Sequence, residues 1–191
     1  MCLIPMPEGR WHTITMDFVM GLPLTPRGHD VILTVVDKFS KRVRLTPVKK
    51  TITARQTATT IEYEIIRIHG FIRRIISDRD PRFLSTAWDT MLKRMGITHH
   101  KSTAYHPQTD GQSEVANKVI EQMLRTFINQ HQTDWDDWLP CLEYAYNCSK
   151  NATTGIPPFE LDLGRKITCP TNFMQYKADD GSAHSLDTLV E

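Results

Sequence analysis

The chain has 191 residues, 40% of them hydrophobic and 24% charged, enough to bury the core of one ordinary domain. No stretch approaches the roughly 20 apolar residues that a membrane helix needs. Met1–Pro7 lacks the cationic start and apolar run of a signal peptide. The composition therefore excludes a helical membrane protein and argues against secretion.

Cys2, Cys141, Cys148 and Cys169 form no C-x-x-C pair, and the eight histidines show no zinc-ligand spacing. A reducing, intracellular compartment is expected. The net charge of +1 conceals an asymmetry. Between Lys38 and Lys101 stand 15 basic and 5 acidic residues, a local +10, against −9 for the remainder. A basic half points to a polyanion partner, with a merely solvated surface as the plainer reading.

Residues 1–10 read as a linker tail, 11–166 as the folded core, and 167–191 as a polar, aperiodic tail. Ile14–Met20 alternates as a strand interrupted by Asp17, and Gly21–Asp30 is rich in turn residues. Val31–Val36 is a β-branched strand, and Arg42–Val48 alternates as a third. The period then changes. Thr53–Ile68 predicts a helix opened by Thr53, with Ala54, Thr57, Ala58, Ile61, Ile65 and Ile68 facing inward.

Phe71–Ile76 predicts a strand, Ser85–Met95 a helix ended by Gly96, and Ile97–Lys101 a fifth strand. After a polar loop, Ser102–Gln112, come helices over Ser113–Gln130 and Trp135–Cys148, the latter capped by Asp134. The order is βββαβαβαα, an α/β domain with a mixed five-stranded sheet flanked by helices. Trp135, Trp138, Tyr144 and Tyr146 read as core or interface packing ahead of base stacking.

Three carboxylates stand out. Asp17 lies inside an apolar strand, where a charge must be paired, hydrogen-bonded, metal-bound or turned to solvent. Asp78 follows a strand, where α/β folds place chemistry, although Asp-Arg-Asp-Pro is also good turn sequence. Asp80 suits the turn role better than Asp78. Glu114 opens a long helix, where a carboxylate favours the positive dipole end. On that helix Ala116, Val119, Ile120, Met123, Leu124 and Phe127 form the apolar side. Glu114, Lys118, Glu121 and Arg125 form a polar stripe opposite.

Taken together, ITMDFVMGLP (14–23), VVDKFSK (35–41), ISDRDPRF (76–83), STAYHPQTDGQSE (102–114) and TGIPPFE (154–160) resemble the catalytic core of gypsy-type LTR retrotransposon integrases. They resemble retroviral integrases more distantly. The resemblance covers about residues 5–166. The zinc-binding and the DNA- or chromatin-binding modules of a whole element integrase lie outside it.

The resemblance implies a ribonuclease H-like fold with Asp17, Asp78 and Glu114 as an acidic catalytic triad. These would hold two Mg²⁺ ions, with Mn²⁺ as a substitute, Asp17 bridging both. Hard divalent cations take oxygen ligands, and two of them about 3.5–4 Å apart can serve both the attacking and the leaving oxygen of a phosphodiester. It also implies DNA contacts from Tyr105, His106, Gln108, Asn117 and Lys118, with Gly111 as a hinge. His106 bonded to backbone is the plainer reading. Val115 departs from the pattern, since the family usually carries Arg after this glutamate.

The implied partners are element ends and target DNA, bound by a homo-oligomer without a membrane. The implied location is the nucleus, with Lys41, Arg42 and Arg44 as a weak import-like cluster or simply a basic strand face. The function implied is Mg²⁺-dependent DNA strand cleavage and strand transfer. A non-catalytic DNA-binding or assembly module retaining the fold is the competing reading. An RNA-cleaving ribonuclease H shares the carboxylate chemistry but fits Tyr105–Glu114 poorly.

Overall fold

The pleat of β1 (Thr13–Val19) divides its residues between two cores. Ile14, Met16 and Phe18 pack on one side of the sheet, and Val19 packs on the other, the side shared by Thr13, Thr15 and Asp17. The computed structural model describes residues 8–101, 111–127 and 133–167. In it β1 pairs antiparallel with β2 (Val31–Asp37), and β2 with β3 (Val43–Val48). On its other edge β1 pairs in parallel with β4 (Arg74–Ser77), and β4 with β5 (Thr98–Lys101). The mixed five-stranded sheet has the order β3-β2-β1-β4-β5, with helices on both faces. This is the ribonuclease H-like arrangement the motifs imply.

Helices α1 (Ala54–Ile61) and α3 (Thr86–Arg94) cover the Ile14–Met16–Phe18 face, with Trp88 and Phe83 wholly buried. Thr53 opens α1 through a capping box with Gln56, and Ser85 caps α3 by accepting from the Trp88 N–H. Helices α4 (Gly111–Phe127) and α5 (Trp135–Cys148) cover the Val19 face. Trp135 is buried there and donates to the Pro23 carbonyl at 2.7 Å; Trp138 packs beside it.

Four expectations need correction. The predicted helix over Thr53–Ile68 is not continuous: a π-helical turn, Glu62–Ile66, separates α1 from α2 (Arg67–His69). The wider turn rotates the residues beyond it, so Ile68 is 50% exposed and His69 stacks on Trp11 at 3.8 Å instead. The fourth strand begins at Arg74, not Phe71. The Arg73 and Arg74 N–H groups both bond to the His12 carbonyl, so pairing starts late, and Phe71 stays exposed.

Asp134 stands at the α5 N-cap position, but its carboxylate does not cap the helix and accepts from the Trp138 indole at 3.1 Å. A further helix, α6 (Pro158–Leu163), lies in TGIPPFE and the residues after it. It begins on Pro158 and stops at Gly164, whose φ of 69° is left-handed, the Pro-in, Gly-out punctuation of a short helix.

Two polar networks close the sheet. Strand β3 lies at an edge, and α5 satisfies its outward backbone. Asn147 accepts from the Val43 N–H and donates to the Val43 carbonyl, both at 2.9 Å, while Glu143 accepts from the Leu45 N–H at 2.8 Å. This removes a template for strand pairing. The second network holds Trp11, whose φ of 59° is unusual for a bulky residue. Asp37 accepts the Trp11 N–H at 3.0 Å, and Asp162 of α6 accepts its indole at 2.8 Å and pairs with Arg42. Asp37 also accepts from Phe39, Ser40 N–H and Ser40 Oγ, shaping the β2–β3 turn. The aspartate of VVDKFSK is thus a fold residue.

Replacing Asn147 with Leu should strand two buried backbone groups and cost about 2–4 kcal/mol, read as a lower urea midpoint with an unchanged m-value. Burial first, and the Arg42 charge second, push the His69 pKa down to about 4. A depressed histidine contributes stability that is complete above about pH 6.5 and is lost as pH falls toward 4. His69→Phe keeps the stack on Trp11 and should lose stability less steeply than wild type between those limits in pH-resolved thermal unfolding.

Candidate active site

Parallel pairing sets Met16 of β1 opposite Ser77 of β4. The next residue after each is an aspartate, Asp17 within β1 and Asp78 just past the end of β4, and neighbouring strands lie about 4.8 Å apart, so the chain path brings the two residues to one region of the sheet. Each is oriented by a different device. Asp17 accepts the Phe18 N–H at 2.7 Å through one oxygen and the Asn117 side-chain amide of α4 at 2.8 Å through the other.

Asp78 accepts the Asp80 N–H at 3.0 Å. Asp80 takes the turn role read for it. Its carboxylate grips Arg82 through Nε at 2.7 Å and Nη2 at 2.6 Å, and accepts the Arg82 N–H at 2.9 Å. The Arg82 guanidinium in turn lies 3.7 Å from the centre of the Phe18 ring, a cation–π contact. Phe18 is the residue after Asp17, so Arg82 ties the loop carrying Asp78 to the strand carrying Asp17.

These contacts set the electrostatics. Burial raises the Asp78 pKa, and the neighbouring Asp80 charge adds to this against the pull of the Asp80 N–H and Arg82. Burial acts upward on Asp80 too, but the Arg82 contacts outweigh it and hold that carboxyl below its ordinary range. On the opposite face Ser77 Oγ lies 2.9 Å from His99 Nε2, and His99 Nδ1 lies 3.4 Å from Asp89. This looks like a nucleophilic triad, but Ser77 is wholly buried and no substrate can reach it. The chain of contacts fastens β4 to β5 beneath Asp78.

Helix α4 carries Glu114 in its first turn, three positions before Asn117. The Glu114 side chain lies outside the described residues, as do Tyr105, His106, Gln108 and Thr109. Lys118 and Val115 are exposed on α4. Asn117, expected among the DNA contacts, is 7% exposed and turns inward to Asp17. The buried side of α4 comprises Ala116, Asn117, Ile120 and Leu124, while Val119 is 38% exposed. The buried arc is rotated by about 40° from the apolar one read off the sequence. A polar residue can occupy that arc because Asp17 accepts from its amide nitrogen, while its Oδ1 is buried with no partner among the described residues.

Arg82 and Asn117 are therefore the positioning residues that sequence reasoning missed or misplaced. A signal existed for the first: Asp80 and Arg82 stand two apart around Pro81, a turn in which their side chains can meet. Two nearby carboxylates with oxygen-only donors suit a hard divalent cation, whose charge would offset the burial that raises Asp78.

The integrase core domain family model matches residues 6–107, a span that includes Asp17 and Asp78. The Tf2-3 and Tf2-4 transposon polyproteins of Schizosaccharomyces pombe (strain 972 / ATCC 24843) are each 35% identical over 158 residues, 83% of this chain. The chain spans 12% of the length of those polyproteins.

Among solved structures, a chain of the simian T-cell lymphotropic virus intasome in complex with the PP2A regulatory subunit B56 gamma aligns with TM-score 0.69 and 16% identity, over 87% of this chain and 59% of that one. The catalytic core domain of BIV integrase aligns with TM-score 0.62 and 23% identity, over 81% and 95%. The HTLV-2 integrase catalytic core in complex with magnesium aligns with TM-score 0.62 and 19% identity, over 80% and 96%. At these identities the structural likeness speaks for the fold.

A raised carboxyl costs stability above its ordinary pKa, and the cost is relieved as pH falls through the raised value. Asp78→Asn should therefore raise the thermal midpoint at pH 7 without divalent ions, by about 2–4 °C for each 1 kcal/mol recovered. It should also shrink any rise that millimolar Mg²⁺ gives wild type. A lower midpoint for Asp78→Asn in metal-free buffer would contradict this account of the site.

Proposed function

The chain belongs to the integrase core domain family, and from that premise we propose that it is a gypsy-type retroelement integrase core, a polynucleotidyl transferase that cuts DNA ends and joins them to a target. The observation that carries this reading is Asp17 on β1 and Asp78 directly after the neighbouring β4, with Asp17 held by Asn117 from the helix that bears Glu114. The reaction class is phosphodiester transfer. The oxygen of water or of a 3′-hydroxyl forms a bond to phosphorus as the P–O bond in line with it breaks, and a proton passes from the attacking to the leaving oxygen.

Asp17, Asp78 and Glu114 would hold Mg²⁺, or Mn²⁺ in its place; when bound, the ions activate the attacking oxygen and stabilise charge on the leaving one. The chain's own residues supply orientation. Asn117 and the Phe18 N–H fix the Asp17 oxygens, and the Asp80 N–H fixes one oxygen of Asp78. Lys118, exposed one turn beyond Glu114, offers a cation to a DNA phosphate. The partners in this reading are element ends and target DNA, engaged by several copies of the chain in the nucleus.

Val115, 58% exposed where a family member usually carries Arg, favours a second reading, a DNA-binding or assembly module without catalysis. Resolution of a preformed branched DNA in Mg²⁺ or Mn²⁺ separates the two, because it needs only one acidic site and a pre-positioned substrate. Wild type should resolve the branch and Glu114→Gln should lose that activity, the substitution keeping size while removing charge. Equal activity in both would trace the reaction to a contaminant. Inactivity of wild type in either metal would move the non-catalytic reading ahead. In a separate binding titration, Lys118→Ala should lower the salt slope for DNA by about one unit.

A further inference from the structure

The face that carries Asp17 and Asp78 continues past them as a polar surface. Strand register places Thr13, Arg74 and Thr98 in one row across β1, β4 and β5. The Lys38 N–H bonds to the Thr13 carbonyl and extends the row to the β2–β3 turn. In another row His100 lies opposite Ile76, two residues before Asp78. Lys41 joins from the same turn, its Nζ donating to the Lys38 carbonyl at 2.6 Å.

Most basic residues nearby are committed to carboxylates: Arg42 pairs with Asp162, Arg44 with Glu64 and Glu143, and Arg73 with Glu8. The Lys38–Arg74–His100 group is different. The Arg74 Nε is buried with no hydrogen-bond partner among the described residues. Lys38 is held below its ordinary pKa by burial and then by Arg74, and His100 by burial and then by Arg74 and Lys38. Lys38 and Arg74 crowd one another here around an orphaned donor, with the His100 imidazole beside them as a further hydrogen-bond donor, and such a cluster is relieved by an anion.

We propose that Lys38, Arg74 and His100 form a phosphate-binding site that holds a nucleic-acid backbone on the sheet face beside the carboxylates. The proposal rests on the reading that this chain acts on DNA. Thr13 lies four strand steps from Asp17, about 13 Å at 3.3 Å per residue. That is about four nucleotides at 3.4 Å per step. A strand whose scissile phosphate sits at Asp17 and Asp78 thus reaches the cluster with a phosphate a few positions away. A polyanion with regularly spaced charges satisfies both ends at once, and a free phosphate satisfies only one.

The test uses the full chain with Lys38→Gln, His100→Gln and the double variant. Anisotropy of a fluorescein-labelled DNA oligonucleotide is titrated at several salt concentrations. Lys38→Gln should lower the salt slope by about 0.9 and weaken binding about eightfold at 0.1 M salt, and His100→Gln should weaken binding with little change of slope because it removes a donor and not a charge at neutral pH. His100→Arg adds a charge at neutral pH and should steepen the slope, which separates the phosphate contact from damage to β5. Histidine NMR resonances are followed in parallel with pyrophosphate, and the His100 signal should move in wild type.

An unchanged slope in the double variant, with Lys118→Ala still lowering it, would overturn the cluster and leave the DNA reading standing. A wild-type chain that binds no DNA while pyrophosphate moves His100 would overturn nucleic acid as the occupant, together with the proposed function. If neither ligand acts on wild type, the site itself is overturned.

Discussion

The parallel pairing of β1 with β4 is the constraint on which the site depends. It brings two aspartates 61 positions apart in sequence to neighbouring places in the fold, Asp17 within β1 and Asp78 directly after the last β4 residue, Ser77, which pairs with Met16. A sheet stabilised only by its own packing has no use for two like charges there. The surrounding structure is organised to hold them: an amide from α4 on one, a backbone N–H from a braced turn on the other, and Arg82 spanning both segments. The burial that raises the Asp78 carboxyl costs stability locally, and the two apolar cores on either side of the sheet offset it.

The supports come from distant parts of the chain. Asn117 lies 100 positions from Asp17, and Asn147 lies 104 from Val43. Neither α4 nor α5 can place these amides until the sheet exists, and the edge of the sheet is not closed until α5 docks. Site geometry and the closed sheet edge therefore both depend on long-range docking of α4 and α5. A variant at Asn147 would be expected to disturb the carboxylates only through the packing of α5 against α4, which meet in the second core.

Much of this was legible from pattern alone. Alternation placed β1 and β3, and β-branching placed β2, within one residue of their observed ends, and α5 matched over its full length. Thr53 and Gly96 marked real helix ends. Asp17 was recognisable because a charge inside an apolar strand demands a reason, and Asp80 was separable from Asp78 by its place before Pro81. The misses share a cause: they depend on partners far away in sequence. A π-helical turn has no simple signature in Glu62–Ile66, because its effect is to exchange Ile68 for His69 against Trp11. Asn117 reads as polar until Asp17 is known to lie behind it. The carboxylate of Asp134 turns to Trp138, a choice made by side-chain packing and not by helix propensity.

The bond between Trp11 and Asp162 has a topological consequence. It joins residues 151 positions apart, so the first strand and the final helix of the described fold meet at one corner. A domain whose ends meet has the geometry that circular permutation needs. A short peptide could connect the two ends, and new ones could be opened in the turn-rich segment between β1 and β2 while every strand keeps its neighbours. For any longer polypeptide carrying this fold, the same corner would be both entrance and exit. The core would hang from the chain as a side-loop rather than lie in line with the segments on either side of it.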